Sequence, residues 1–207
     1  MLLRLLFLFS VALSSAEAYA SYHYNSHSSI SMYRSSYKSY KHFSQSIEGG
    51  YGEAVYNKGE ASEGQGAWQG MALRSEFGVE TLKFFQLSAG FIKSDYSQKD
   101  NDTSMMDQLS GFAEMKIVLT APMINLEVGG GIIGSMMDVI TEDGNADYAG
   151  SGVYYTAAVS RYLNSDMAIF GKVTMGDQHF VKGRGSLEQD TIDIQSQTAG
   201  IGLKLFF

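Results

Sequence analysis

Residues Thr191–Phe207 read TIDIQSQTAGIGLKLFF. Counted back from the end, Phe207, Leu205, Leu203, Ile201 and Ala199 share one side of an extended strand. Phe206, Lys204, Gly202, Gly200 and Thr198 share the other, because strand side chains alternate between faces. One face is apolar. The other carries small or charged residues beneath a terminal aromatic.

The same alternation recurs in seven earlier segments: Ile47–Tyr56, Trp68–Val79, Phe84–Asp95, Met106–Leu119, Ile124–Met137, Gly150–Leu163 and Asp166–Gln178. In the fourth, Leu109, Gly111, Ala113, Met115, Ile117 and Leu119 oppose Ser110, Phe112, Glu114 and Lys116. Short turns at Glu80–Leu82, Thr120–Met123 and Asn164–Ser165 alternate with longer polar stretches. Those stretches, expected as loops, are Asn57–Gly66, Tyr96–Ser104, Asp138–Tyr148 and Val181–Gln189. Short and long connections in alternation, with an even strand number, are the pattern of an up-and-down membrane barrel. Each segment supplies the ~9–11 residues a tilted strand needs to cross a bilayer. The spacing therefore predicts an all-β, eight-stranded antiparallel barrel over residues 47–207.

Composition agrees. The chain holds 23 glycines, and its one proline, Pro122, leaves nearly every strand position free to donate a ladder hydrogen bond. With 0 cysteines, a disulfide framework, a thiolate metal site and an N-terminal lipid acceptor are excluded. The formal charge of −7, without a basic stripe, excludes a nucleic-acid partner. After the first twenty residues no apolar run approaches the ~18 of a spanning helix.

Met1–Ala20, with Arg4, an apolar run from Leu5 to Leu13 and Ala18-Tyr19-Ala20, reads as a secretory signal peptide. Cleavage is expected after Ala20, with Ala16 as the alternative. Residues 21–46, dominated by Ser and Tyr, read as a disordered low-complexity periplasmic tail, because dense Ser competes for backbone hydrogen bonds. A second reading lays Ile30, Tyr33, Tyr37 and Tyr40, with their neighbouring cations, on an anionic lipid surface. His23, His27 and His42 lack the converging carboxylate that would favour a metal site there.

Alternation alone fits a soluble barrel with an apolar interior or a membrane barrel with an apolar exterior. The polar face decides. It is mostly Gly, Ser, Ala and Thr, interrupted by Glu48, Arg74, Glu76, Glu114, Lys116, Glu127, Lys172 and Lys204. A solvated surface would be dense in long charged side chains. Isolated acids and bases in equal number suit an enclosed lumen, where each charge needs a partner. Eight strands leave a lumen that side chains can fill, so a plugged, ion-paired core is expected, with no open channel. On the apolar face, Tyr51, Phe77, Phe85, Phe91, Tyr155 and Phe207 are expected toward the two interfaces.

A strand count of eight and a closing strand ending in Phe resemble the OmpA/OmpX-type bacterial outer-membrane barrels. The resemblance spans residues 47–207. It implies location in the outer membrane, contact with its lipids and lipopolysaccharide, and recognition by the barrel-insertion machinery. It further implies that Thr198, Gly200, Leu203, Leu205 and Phe207 form the insertion signal. No peptidoglycan-binding segment follows Phe207, so a cell-wall tether is not expected.

For chemistry, the barrel segments offer one histidine, His179, beside Asp177. A family of lipid A deacylases with this strand number carries His-x-Ser; here the stretch is His179-Phe180-Val181, without the serine. No enzyme activity and no cofactor are expected. Asp143-x-Asn145-x-Asp147 lacks the Gly and distal Glu of a calcium loop. The acidic stretches are solvated charge by default, with divalent bridging to lipopolysaccharide as the alternative. The expected role is a closed membrane-spanning scaffold that presents loops outward. A surface adhesin binding a host or other extracellular ligand is the alternative, and a small channel a third.

Overall fold

The computed structural model of the chain describes residues 43–57, 68–82, 84–98, 101–120, 124–164 and 166–207. The signal peptide, nearly all of the Ser/Tyr-rich tail, the 58–67 stretch and the turn at Pro122 lie outside the described residues.

Eight strands alternate up and down: β1 (Phe43–Asn57), β2 (Trp68–Leu82), β3 (Phe85–Gln98), β4 (Asn101–Thr120), β5 (Ile124–Thr141), β6 (Gly144–Tyr162), β7 (Met167–Gly185) and β8 (Thr191–Phe206). Each pairs antiparallel with its neighbour, and β8 closes on β1 through the register Thr198↔Gly52, Gly200↔Gly50 and Leu203↔Ile47. Closure leaves no edge strand, so every ladder group is satisfied inside the wall, as a lipid environment demands.

The register fixes the tilt. Followed from Gly49 through Leu73, Lys93, Leu109, Met136, Ala149 and Val181, the ladder reaches β8 at Thr191. Gly49 itself pairs with Ile201, so one circuit advances 10 residues. A shear of this size on eight strands tilts them by roughly 40°, and each residue then climbs about 2.5 Å along the axis.

Large side chains could not pass through all of this wall. At Gly90 an added Cβ would fall on the Ser75 carbonyl oxygen, and at Gly152 on that of Asp177. Backbone of the neighbouring strand occupies the space, which is why these inward positions carry hydrogen.

Two expectations need correction. β1 begins at Phe43, four residues before Ile47, so Phe43–Ser46 belong to the barrel and not to the tail. The expected loops are largely strand: β3 and β4 occupy most of Tyr96–Ser104, and β7 runs to Gly185. The acidic Asp138–Tyr148 stretch is a hairpin, β5 and β6 meeting at a turn through Glu142 and Asp143. The β3–β4, β5–β6 and β7–β8 connections are therefore shorter than expected, the strands on either side of them running into the polar stretches.

Candidate functional site

Toward the far end the inward face of the strands changes from polar to apolar, and polar residues enter the outward face. Near the end that carries Phe43 and Phe207, apolar side chains point out. Ile47, Leu73, Leu87, Met115, Val128, Ile132, Ile169, Leu203 and Leu205 are all exposed, while the lumen holds the charges. Nearer the far end the outward positions become Glu53, Gln69, Lys93, Asp95, Asp107, Asp138, Asp147, Asp177, His179, Asp193 and Gln195. Over the same rungs the inward positions become Trp68, Tyr96, Met106, Met137, Val139, Tyr148, Phe180, Ile192 and Ile194, one buried apolar cluster. The outward apolar band between chain ends and reversal is about 20–25 Å tall at this tilt, the height of an outer-membrane barrel's lipid belt. Beyond it the inside is greasy, as in a water-soluble barrel, while the outside is mixed, its polar residues alternating with exposed Val55, Met105, Ile140 and Val181.

The lumen is stacked in layers. Lowest is a hydroxyl and amide layer with Ser44, Ser46, Gln86, Ser88, Asn125 and Ser160 buried; Gln86 Nε2 donates to Ser44 Oγ at 2.9 Å. Above it lies the charged belt, and the structure brings all eight of its expected members together. Glu76 is its hub, joined to Lys116, to Lys172 at 3.1 Å and to Arg74 at 3.2 Å. Lys172 also reaches Glu48 at 3.1 Å. Arg74 Nη2 donates to Glu114 at 2.6 Å, and Thr156 and Tyr154 donate to the same carboxylate, Tyr154 at 3.3 Å. Lys204 donates to Glu127 at 2.5 Å, and Lys116 bridges the two halves, 3.5 Å from Glu114 and 4.0 Å from Glu127. Four carboxylates meet four cations, all buried. A lone charge could not be held there, because desolvation would exceed what one solvent-poor contact returns.

Arg74 links the belt to the layer above. Its guanidinium lies 3.9 Å from the Phe112 ring centroid and 5.4 Å from that of Tyr154, which packs edge-on against Phe112. The aromatic faces cover a cation whose Nε and Nη1 have no hydrogen-bond partner among the protein atoms. Ile133 and Ile92 complete this layer. Next comes an amide–hydroxyl knot: Gln108 donates to Ser110, Ser135 and Gln178, and Ser135 donates to Gln178 at 2.5 Å. The apolar cluster closes the stack.

No protein-family model matches the sequence, and no curated protein does. Solved structures do match in shape. Neisserial surface protein A superposes with a TM-score of 0.56 at 12% identity, over 80% of this chain and 97% of that one. The N-terminal β-barrel domain of Pseudomonas aeruginosa OprF superposes with a TM-score of 0.51 at 12% identity, over 81% of this chain and 100% of the other. The fold is that of the small eight-stranded outer-membrane β-barrels. At such identity the likeness speaks for the fold alone, and it agrees with the apolar belt measured on the chain itself.

In a barrel of this type the closing strand shows both faces. Thr198 and Gly200 point into the lumen, and an added Cβ at Gly200 would lie 2.5 Å from Glu48 Oε1, so glycine leaves room for the belt. Leu203, Leu205 and Phe207 point outward, and the Phe207 N–H bonds to the Phe43 carbonyl at 2.9 Å. Phe43 and Phe77 sit 6.0 Å apart near the same end, while Tyr51 and Phe91 immediately precede the first polar outward residues, Glu53 and Lys93. Tyr155 lies within the band, with Val153 beyond it, and so departs from the expected interface position.

His179 lies on the outer wall, on the same face of β7 as Asp177, and its Nδ1 contacts Asp193 of β8 at 2.7 Å. Ser151 stands opposite His179 on β6, so Ser, His and Asp share one rung. Sequence order hides this, since the three residues come from three strands.

An acidic rung also crosses the outer wall, Asp95↔Asp107↔Asp138↔Asp147 in register. Lys93 bonds to Asp107 and lies 3.2 Å from Asp95, and the hydrogen bond to Asp107 lifts the Lys93 ammonium above its ordinary range.

Proposed function

We propose that the protein is a closed structural barrel of the outer membrane that carries a rigid, polar strand extension to the cell exterior. The observation that carries this reading is the lumen, blocked in series by an eight-membered ion-pair belt, the Phe112–Tyr154–Ile133 layer, the Gln108–Gln178 knot and the apolar cluster. Each layer opposes ion flow differently: fixed paired charge, aromatic bulk, then a surface that does not wet. The end bearing Phe43 and Phe207 faces the periplasm in this reading, and the extension past the reversal faces outward. Its natural contacts are lipopolysaccharide and outer-leaflet lipid. The closing strand, through Thr198, Gly200, Leu203, Leu205 and Phe207, is the handle for the insertion machinery.

We further propose that the His179 rung is not catalytic. It lies on the convex wall, where the backbone N–H groups of β6, β7 and β8 are committed to the ladder, so no preorganised pair of donors is left for an oxyanion. An unchanged lipid A composition in cells carrying His179→Ala is the expected result, and a change in acyl content would contradict it.

Planar-bilayer recording tests the closed lumen. The purified chain should add no stepwise conductance above the bare membrane, whereas resolved single-channel steps would make it a small pore.

A further inference from the structure

From Phe43 to Tyr51 on β1 and from Met71 to Val79 on β2, the outward residues are aliphatic, aromatic or glycine, with two exceptions, Gln45 and Ser75. Both are exposed, and neither side chain has a hydrogen-bond partner among the described residues. Gln45 stands in register between Phe77 and Leu205, and Ser75 between Ile47 and Phe91. Acyl chains offer an amide or a hydroxyl neither donor nor acceptor, so a polar group left facing them is costly.

The tilt decides how the two residues stand to each other. Ser75 is the partner of Ile47, and Gln45 lies two residues nearer the chain end than Ile47. On strands inclined by roughly 40°, the step across to β2 and the two-residue step down β1 both shift sideways by about 4 Å, in the same direction. Ser75 therefore stands directly above Gln45, about 8 Å higher along the barrel axis. On one side of that line a hollow of about 380 Å³ opens between Phe77 and Phe91, lined by Ser75, Ala89, Gly90 and Gly111. On the other side Ile47 projects from the wall, 56% exposed.

We propose that this face is the contact between two copies of the chain, related by a two-fold axis parallel to the barrel axis. Copies inserted the same way round in one bilayer allow no other two-fold. An axis along the Gln45–Ser75 line sets each of these residues against its own counterpart. A carboxamide carries both donor and acceptor, so two of them bond reciprocally across the axis, and two hydroxyls pair likewise. The same rotation brings Ile47 of each copy to the hollow between Phe77 and Phe91 of the other. One operation thus matches knob, hole and polar groups. A lipid tail would fill the hollow but leave both polar groups without partners, which is why the occupant is a second chain. The contact rests on the lipid belt of the reading above and leaves the lumen untouched, so conductance and association fail separately.

With 0 cysteines in the chain, single ones report without background. The folded chain carrying Gln45→Cys or Ser75→Cys is oxidised in lipid vesicles at decreasing protein-to-lipid ratios. Ile132→Cys, outward on β5 at the opposite side of the barrel, is the control. Disulfide-linked dimer is expected at positions 45 and 75, in yield about fivefold or more above that at 132. Energy transfer between copies labelled through Glu188→Cys then gives the association constant. Gln45→Leu combined with Ser75→Ala should weaken association by about fivefold or more, and Ala89→Phe, which fills the hollow, should weaken it as well. Both changes add apolar groups to a lipid-facing wall, so heat-modifiable mobility should stay that of the folded barrel. If a cysteine variant at 45 or 75 does not fold, the energy-transfer comparison decides alone. Chains that stay monomeric at every density, equal cross-linking at 45, 75 and 132, or association unaltered by loss of both polar groups would overturn the proposal.

Discussion

Lys204→Met should destabilise the folded barrel by about 3–5 kcal/mol, while Lys204→Met combined with Glu127→Leu should recover most of that loss. Lys204 is the 2.5 Å partner of Glu127, whose other contact, Lys116, is 4.0 Å away. Removing the lysine leaves a buried carboxylate with one weak partner, and the cost is that of the stranded charge. Removing both charges replaces a desolvated pair with packing, which buried sites often tolerate without loss. The measurement is urea unfolding in lipid vesicles followed by Trp68 emission, with heat-modifiable mobility as a check on folding. A double variant as unstable as the single one would mean that Lys204 contributes through something other than Glu127.

The second large effect comes from the other face. Ile132 is 67% exposed, lies well inside the apolar band on β5, and meets acyl chains in the membrane. Ile132→Arg should cost about 2–4 kcal/mol, because a guanidinium near the bilayer middle loses its hydration. Gln195→Arg, also outward but past the reversal on β8, should change stability by less than about 0.5 kcal/mol. A generic intolerance of arginine would make the two equal. Unfolding in vesicles distinguishes these outcomes, since only a bilayer imposes the depth dependence.

The pattern that made the fold readable also hid part of it. Within the belt, alternation with apolar residues outward is legible from sequence: the β8 positions Ile201, Leu203 and Leu205 against Gly202 and Lys204 follow directly. The eight lumen charges were legible as a class, because charges spaced by Gly and Ser do not suit a solvated face. Their partners were not. Whether Lys172 meets Glu76, 96 residues away, depends on shear and closure, which no local pattern encodes. The far-end extensions were misread as loops for a physical reason. Val139, Ala146 and Tyr148 point inward beside outward Asp138 and Asp147, the opposite sense to the belt, although Ile140 also points outward. Acidic residues and Gly144 made that stretch look irregular. Ile192 and Ile194 carried the missing signal, since they share the parity of Thr198 and Gly200 and therefore require a greasy lumen above a polar one.

The same reversal explains how one chain meets two solvents. Hydrocarbon rewards apolar side chains outside and tolerates paired charge within; water rewards the converse. A strand that crosses from one to the other must change sense at the boundary. Register ties the change on neighbouring strands to one height, so the barrel carries its membrane boundary in its sequence.

Site-directed spin labelling along β8 tests this most directly, since a chain with 0 cysteines accepts single labels without background. Labels replacing residues 193 to 205 in turn are read in vesicles for collision with dissolved oxygen, which concentrates in hydrocarbon, and with a water-soluble nickel chelate. At 199, 201, 203 and 205 oxygen should dominate; at 193, 195 and 197 nickel should; at 194, 200, 202 and 204 neither should reach the label freely. Nickel access at 203 and 205, or oxygen access at 193 and 195, would contradict it.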